Sequence, residues 1–227
     1  MATLPCQLRG CRSGAFTSMS AETLDPLRAG ALRGTTRLDL SAGLTEVPPE
    51  ILTLADSLEI LNLSNNHLTD LPDWLPELKK LRVLFCSNNP FRYVPEILGQ
   101  CPALEMIGFK SCQIETVTAA ALPPRLRWLI LTDNRLTTLP SELGSRPRLQ
   151  KLMLSGNRLT TLPPKLAQCG NLELLRLAAN RFEAFPDWLW NLPSLAWLAV
   201  AGNPCTPISA SHEQPIREIP WSQLTMG

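Results

Sequence analysis

The stretch LEILNLSNNHLTDLP, residues 58–72, decides how this chain folds. Over its full length the apolar residues follow neither the 3.6-residue period of a helix nor the strict alternation of a strand. Its centre does alternate, with Leu61 and Leu63 on one face and their neighbours on the other. The chain must then turn, and an asparagine there can bond the backbone of the turn. The stretch therefore predicts a short strand followed by a tight turn.

The same phrase recurs along the chain at an almost fixed period. A degenerate copy occupies residues 35–48, and every step between later copies is 23 residues except the 22-residue step from Leu104 to Leu126. Self-similarity of this kind indicates stacked structural units that cannot bury their leucines alone. The leading residues of these copies are Leu58, Leu81, Leu104, Leu126, Leu149, Leu172 and Leu195.

The repeated phrase resembles the leucine-rich repeat, L-x-x-L-x-L-x-x-N/C-x-L. The resemblance implies an α/β fold: a right-handed solenoid, or horseshoe, with short parallel strands on the concave face and short helical or 3₁₀ segments on the convex face. A proline suits the start of such a convex segment because it fixes φ, and a leucine farther along closes the core. The prolines are Pro48, Pro72, Pro95, Pro140, Pro163 and Pro186, and the closing residues are Leu75, Leu98, Leu143, Leu166 and Leu189.

An asparagine marks the turn in most copies. We predict that each amide bonds the backbone of its own loop and of the next coil, so that losing one costs on the order of 1–3 kcal/mol. One copy has Cys112 at this position, Thr118 in place of the proline, and one residue fewer, so we expect a local irregularity there. The asparagines are Asn66, Asn89, Asn134, Asn157, Asn180 and Asn203.

The repeat boundaries divide the chain into four predicted segments. We expect a disordered N-terminal extension over residues 1–19, an N-terminal cap over 20–34, a solenoid of about eight repeats over 35–209, and a C-terminal tail or linker over 210–227. Met19 is an alternative start of the protein, in which case residues 1–18 would not belong to it.

Composition excludes several classes of function. The net charge of +1 creates no global field that favours nucleic acid or an anionic membrane, and no apolar run is long enough to span a bilayer. The N-terminus lacks the apolar core of a secretory signal, so we expect a cytoplasmic protein. The seven cysteines form no metal-ligand spacing with the two histidines, so we expect no metal and no cofactor. Hydrolase, phosphate-loop and zinc-protease motifs are also absent from the sequence, so we expect no enzyme activity.

The outward positions of the predicted strands are the candidate partner-binding site. They are unusually apolar on four adjacent strands, and large aromatic and flexible side chains suit an interaction surface for a protein or peptide. The alternative is that the chain covers this face itself, for example with the tail that contains Trp221. The candidate residues are Phe85, Met106, Trp128, Ile130, Met153, Leu174, Arg176 and Trp197.

A second outward feature is a row of arginines that follow the turn asparagines. Arg135, Arg158 and Arg181 either form a site for an acidic partner or phosphate, or are solvated and paired with Asp133 or Glu183. We favour the second interpretation because exposed charges at this spacing cost little.

A closer resemblance suggests the biological setting. The runs RVLFCSNNPF (82–91), ALPPRLRWLILTDN (121–134) and RLQKLMLSGN (148–157) resemble the N-terminal repeat region of bacterial leucine-rich-repeat protein kinases, and IPWSQL (219–224) resembles the end of their linker. The resemblance implies a sensor or regulatory part of a kinase, although this chain has no Gly-rich loop, H-R-D or D-F-G. The alternative is a stand-alone repeat protein that acts as a signalling scaffold or a secreted effector. The sequence leaves the oligomeric state open.

Overall fold

The computed structural model describes residues 24–205. It begins with the short helix α1, Leu24–Arg28, whose Leu27 is buried in the core. Eight parallel strands follow and pair in chain order in one sheet. The predicted segments 1–19 and 210–227 lie outside the described residues. The strands are β1 (Arg37–Asp39), β2 (Ile60–Asn62), β3 (Val83–Phe85), β4 (Met106–Gly108), β5 (Trp128–Ile130), β6 (Lys151–Met153), β7 (Leu174–Arg176) and β8 (Trp197–Ala199).

Short 3₁₀ helices connect the strands on the opposite side of each coil. Most follow a proline with extended backbone at the preceding position, such as Pro140, where φ is −68° and ψ is 141°. The closing leucines predicted on this side, such as Leu143, are fully buried. The solenoid fold predicted from the repeat is confirmed. The 3₁₀ helices are Pro49–Leu54, Leu75–Glu77, Glu96–Gln100, Ala119–Ala121, Ser141–Ser145, Pro164–Gln168 and Asp187–Asn191.

The strand register stacks equivalent residues of successive coils. Leu129 pairs with Leu152, and Leu152 pairs with Leu175, so the inward leucines form continuous columns with 0% exposure. Because each coil hides the leucines of its neighbour, burial accumulates along the array rather than within a single unit. The predicted inward pairs are confirmed throughout the middle of the array.

The asparagine ladder is confirmed, but its direction was wrong. Asn157 donates from Nδ2 to the carbonyl oxygens of Leu131 (2.8 Å) and Leu154 (2.9 Å), and its Oδ1 accepts from the Leu136 amide (3.0 Å). Leu131 and Leu136 belong to the preceding coil, whereas we had expected the next one. The backbone on the two sides of Asn157 reaches different coils: the Gly156 N–H donates to Ala178 of the next coil, and the Arg158 N–H donates to Leu136 of the preceding one.

The expected irregularity of the Cys112 repeat lies on the convex side, where the 3₁₀ helix Ala119–Ala121 has three residues and the preceding Glu96–Gln100 has five. The Cys112 thiol replaces the amide and donates to the Cys86 carbonyl oxygen at 3.4 Å. Met106 still pairs with Trp128, so the sheet passes through the 22-residue step without a break in register. Ala121 lies 23 residues after Leu98 but Leu126 lies only 22 after Leu104, so the missing residue falls between Ala121 and Leu126. Before it, the hydroxyl of Thr118 donates to Glu96 Oε1 at 2.8 Å.

Among residues 24–205, no helix is both long and apolar enough to cross a membrane.

Candidate functional site

Two columns of outward side chains cover the concave face of the sheet, and we call them together the inner wall. The first column comes from the first residue of each strand and the second column from the third. All eight predicted site residues lie on this wall, on strands β3 to β8. The first column is Arg37, Ile60, Val83, Met106, Trp128, Lys151, Leu174 and Trp197; the second is Asp39, Asn62, Phe85, Gly108, Ile130, Met153, Arg176 and Ala199.

Ile130 differs from the other predicted site residues because it is buried, at 9% exposure. Ile130 is next to Gly108 on the neighbouring strand β4, which has no side chain to fill the space beside it. The ring of Phe85 lies against Gly108, where a Cβ would be only 2.7 Å from Phe85 Cδ1 and 3.8 Å from Ile130 Cβ. Phe85 and Ile130 therefore close over the space that Gly108 leaves, so Ile130 packs within the wall, and a contact of Ile130 with a partner stays a prediction.

The remaining predicted residues, of which Trp128 and Met153 are examples, are half-buried. Trp128, Met153, Leu174 and Trp197 lie at outward positions of four consecutive strands, β5 to β8, so every strand in this half of the wall contributes a large apolar side chain. The structure thus brings the C-terminal half of the predicted set together. Whether these side chains contact a partner stays a prediction.

Each tryptophan of the wall carries a cation on its ring. The Lys151 Nζ lies 3.8 Å from the centroid of the Trp128 ring, and the guanidinium carbon of Arg176 lies 5.0 Å from that of Trp197. Both distances fall within the range of a cation–π contact. Partial burial lowers the pKa of Lys151, the carboxylate of Glu173 opposes this shift, and Arg127 adds to it.

Lys151 is the residue of the wall that sequence reasoning missed. It is not among the eight candidate residues chosen from the sequence. The signal was nevertheless present, because Lys151 is 23 residues after Trp128 and therefore occupies the same column on the next coil.

The N-terminal end of the wall is polar and internally paired. Arg37 and Asp39 form an ion pair at 2.8 Å on β1, and the Asn62 amide donates to Asp39 at 2.9 Å. The two charges at that end of the wall therefore neutralise each other. The polar part of the wall is thus confined to β1 and to Asn62 of β2, since Ile60 of β2 and Val83 and Phe85 of β3 are already apolar.

Alternating charges border the first column along one edge and form a rim. The Glu105 carboxylate accepts a hydrogen bond from the Arg82 guanidinium at 3.1 Å and lies 3.6 Å from the guanidinium of Arg127. Arg127 also donates a hydrogen bond to the side-chain oxygen of Gln150 at 2.9 Å. Such partly exposed pairs contribute little to stability. Their effect is to keep this rim polar beside the apolar wall.

The arginine row is paired differently from our prediction. Arg135 contacts Glu115 at 3.7 Å, not Asp133 or Glu183, and Glu115 also binds Arg92 at 3.2 Å. Arg158 and Arg181 are exposed and form no ion pair with any residue between 24 and 205. The expected partners were therefore wrong, although solvent exposure of the row agrees with the favoured interpretation.

The cysteines of the described range are free thiols. Cys86, Cys101 and Cys169 are buried at apolar positions of their coils, and Cys205 is half-buried. Burial raises the pKa of Cys101 to about 12, with a small opposing effect of Lys79. Within this part of the chain no group of histidine, cysteine and acidic residues is arranged to hold a metal ion.

The curved parallel sheet, the buried asparagine ladder and the convex 3₁₀ helices define a solenoid repeat protein. Family models described as leucine rich repeat match residues 124–182 and 147–204, and a model for two such copies matches residues 56–93. These matches span more than half of the 227 residues. The chain belongs to the leucine-rich repeat family.

Similar structures and relatives agree with this assignment. A leucine-rich repeat protein of Leptospira interrogans is 29% identical with a TM-score of 0.62, over 77% of this chain and 51% of that one. The plant peptide hormone receptor RGFR1, solved in complex with RGF2, is 27% identical with a TM-score of 0.62, over 78% of this chain and 34% of the receptor.

Curated relatives match over shorter stretches. The leucine-rich repeat serine/threonine-protein kinase 1 of Mus musculus is 39% identical over 67 residues, which are 29% of this chain and 3% of the kinase. The chain spans less than a tenth of the length of the curated relatives it matches.

Proposed function

We propose that the inner wall binds a protein or peptide and that the chain acts as a non-catalytic interaction scaffold. The observation that carries this proposal is the set of large apolar side chains Trp128, Met153, Leu174 and Trp197 at outward positions of four consecutive strands, β5 to β8. These large side chains are half-buried although they are not needed to fill the core, which the inward leucines complete on the other face. An apolar patch with a polar rim is typical of an interaction site.

A structural relative supports this kind of ligand. RGFR1 is a peptide hormone receptor that was solved with RGF2 bound, and it shares the fold over most of this chain. The inner wall offers a partner a groove-like surface whose strands are already ordered. Little conformational entropy is then lost by the scaffold on binding.

The biological setting is a finer proposal. The resemblance to repeat regions of bacterial protein kinases, together with a kinase among the relatives, supports a cytoplasmic sensor or regulatory part of a protein kinase. A stand-alone signalling scaffold or a secreted effector remains the alternative. The genomic sequence downstream of the codon for Gly227 separates them: a Gly-rich loop and H-R-D in frame support the kinase, and their absence contradicts it.

Partner capture tests the proposed function directly. The full chain, immobilised, is compared with Trp128→Ala/Met153→Ala for proteins retained from a lysate of the source organism, and retained proteins are then purified and titrated singly. We expect at least a tenfold loss of affinity in the double variant.

Trp190→Ala provides the control. Trp190 is 61% exposed on the convex side, so its substitution removes a tryptophan without touching the inner wall. Equal binding by the wild type and the Trp128→Ala/Met153→Ala variant would contradict the proposal, as would loss of binding in Trp190→Ala alone.

A further inference from the structure

Four residues on consecutive strands form a row along the C-terminal half of the inner wall: Trp128, Lys151 and Trp197 of the first column on β5, β6 and β8, and Arg176 of the second column on β7. We call this set the tryptophan–cation row. Its two outer members are aromatic and its two central members are cationic. Each cation is held on the tryptophan next to it, at 3.8 Å for Lys151 and 5.0 Å for Arg176.

The cations of this row have no acidic neighbour on the wall. The outward positions of β5 to β8 contain no aspartate or glutamate, and between residues 24 and 205 neither Lys151 nor Arg176 forms an ion pair. Glu173, which acts electrostatically on Lys151, directly precedes the first residue of β7 and lies beside the wall. The positive charge of the C-terminal half is therefore not compensated within the wall.

The opposite end of the same wall shows the contrast. Arg37 occupies the first column there, and Asp39 on the same strand neutralises it at 2.8 Å. At the N-terminal end of the wall the cation is thus paired with a carboxylate, whereas at the C-terminal end the two cations are not. The uncompensated pair coincides with the apolar surface to which we assign partner binding.

Partial burial makes these two cations effective binding groups. A cation that lies against apolar surface is less well hydrated than one in bulk water, so a carboxylate that approaches it gains more electrostatic energy. The contact also fixes the long side chains in place, which lowers the entropy lost when a partner is bound.

We infer that the partner segment bound by the inner wall carries acidic side chains beside its apolar ones, and that Lys151 and Arg176 receive them. This inference rests on the proposed function and names the chemistry of its partner. Apolar side chains of the segment pack on Met153 and Leu174, and its carboxylates meet the cations of the row. If the cations served only to shield the tryptophans, the partner would need no acidic residue.

Selection from a random peptide library on the full chain tests this inference. Wild type is compared with Lys151→Gln/Arg176→Gln and with the control Lys165→Gln/Arg148→Gln, which loses the same charge from two exposed residues away from the wall. We expect wild type and control to enrich peptides with aspartate or glutamate next to aliphatic or aromatic residues. The Lys151→Gln/Arg176→Gln variant should lose the acidic preference and bind an acidic peptide selected on the wild type at least tenfold more weakly.

Two further measurements sharpen the result. Affinity of the wild type for that peptide should fall with added salt more steeply than affinity of the variant, because screening acts on the charge pairs. Lys151→Met/Arg176→Met keeps the apolar stems on the tryptophans and should reproduce the loss, which provides a second variant if the glutamine variant does not fold.

The outcomes separate this inference from the proposed function. Wall-dependent peptides without acidic enrichment, or an acidic preference that survives in the Lys151→Gln/Arg176→Gln variant, would overturn the inference and leave partner binding intact. If Trp128→Ala/Met153→Ala selects the same peptides as the wild type, the proposed function itself is wrong and the inference with it. Tighter binding of a single-stranded oligouridine probe through the same two cations would also overturn it, since the wall would then recognise phosphate and bases.

Discussion

Gly144 faces the carbonyl oxygen of Lys165 so closely that a Cβ has no room between the 3₁₀ helices of neighbouring coils. A glycine is required at this position because its neighbour is backbone, which cannot rotate away as a side chain can. The convex side is therefore packed main chain against main chain at this point, and the spacing of the two coils depends on the absence of one methyl group.

Gly144→Ala should lower the free energy of unfolding by about 2–3 kcal/mol or more, because the methyl group forces the coils apart. Urea unfolding followed by circular dichroism measures this. Gly170→Ala is the control, since a Cβ there meets nothing within 4 Å. Equal stability of the two variants would show that the convex packing is looser than described.

Asn157→Ala should cost about 1–3 kcal/mol, because the carbonyl oxygens of Leu131 and Leu154 and the amide of Leu136 lose their partner inside the array. Hydrogen exchange should speed up at the Leu136 amide, in the coil before the substitution. Asn191→Ala removes an exposed amide with one long hydrogen bond of 3.4 Å and should be nearly neutral. Faster exchange in the following coil alone would contradict the direction of the ladder.

Substitutions of two adjacent residues on opposite faces of β5 distinguish the role of the wall from that of the core. Leu129→Ala should destabilise the protein by about 2–5 kcal/mol because the side chain is fully buried. Trp128→Ala should cost about 1 kcal/mol or less, since the ring is half-buried on the wall, while partner affinity falls. A large loss of stability with unchanged binding would identify Trp128 as a core residue.

Stability should decline at alkaline pH in a way that depends on Cys101. Burial raises its pKa to about 12, above the ordinary value of 9.0, so the unfolded chain releases this proton first. The contribution is fully present below pH 9 and is lost as the pH rises toward 12, with a slope of at most about 1.4 kcal/mol per pH unit. Urea titrations of wild type and Cys101→Ala between pH 8 and about 11 should show a shallower decline in the variant. Identical slopes would contradict the assignment.

Much of the fold was predictable because each repeat places its leucines, its asparagine and its proline at nearly the same positions. The inward leucines, the turn asparagines and the prolines before the 3₁₀ helices were assigned correctly from a 23-residue period. The direction of the asparagine bonds was not predictable, because a side chain at a turn can reach either neighbouring coil. The structure shows that Asn157 reaches the preceding coil, where it bonds Leu131 and Leu136.

The candidate site was predictable in location but not in detail. Column membership follows from the period, so all eight proposed residues lie on the inner wall. The burial of Ile130 depends on the ring of Phe85 turning over Gly108, and no local pattern specifies that rotamer. The pairing of Arg135 with Glu115 likewise depends on side chains from different coils.

The sequence alone determined the repeat, the stacking of its coils and the face on which each residue lies, because strand alternation and a constant period convert position directly into orientation. Only the tertiary structure decided which neighbours on the wall touch: Lys151 and Arg176 on their tryptophans, Phe85 over Gly108, and Gly144 against Lys165. Such contacts depend on rotamers and on the distance between coils, which neighbouring coils set jointly and no single repeat encodes.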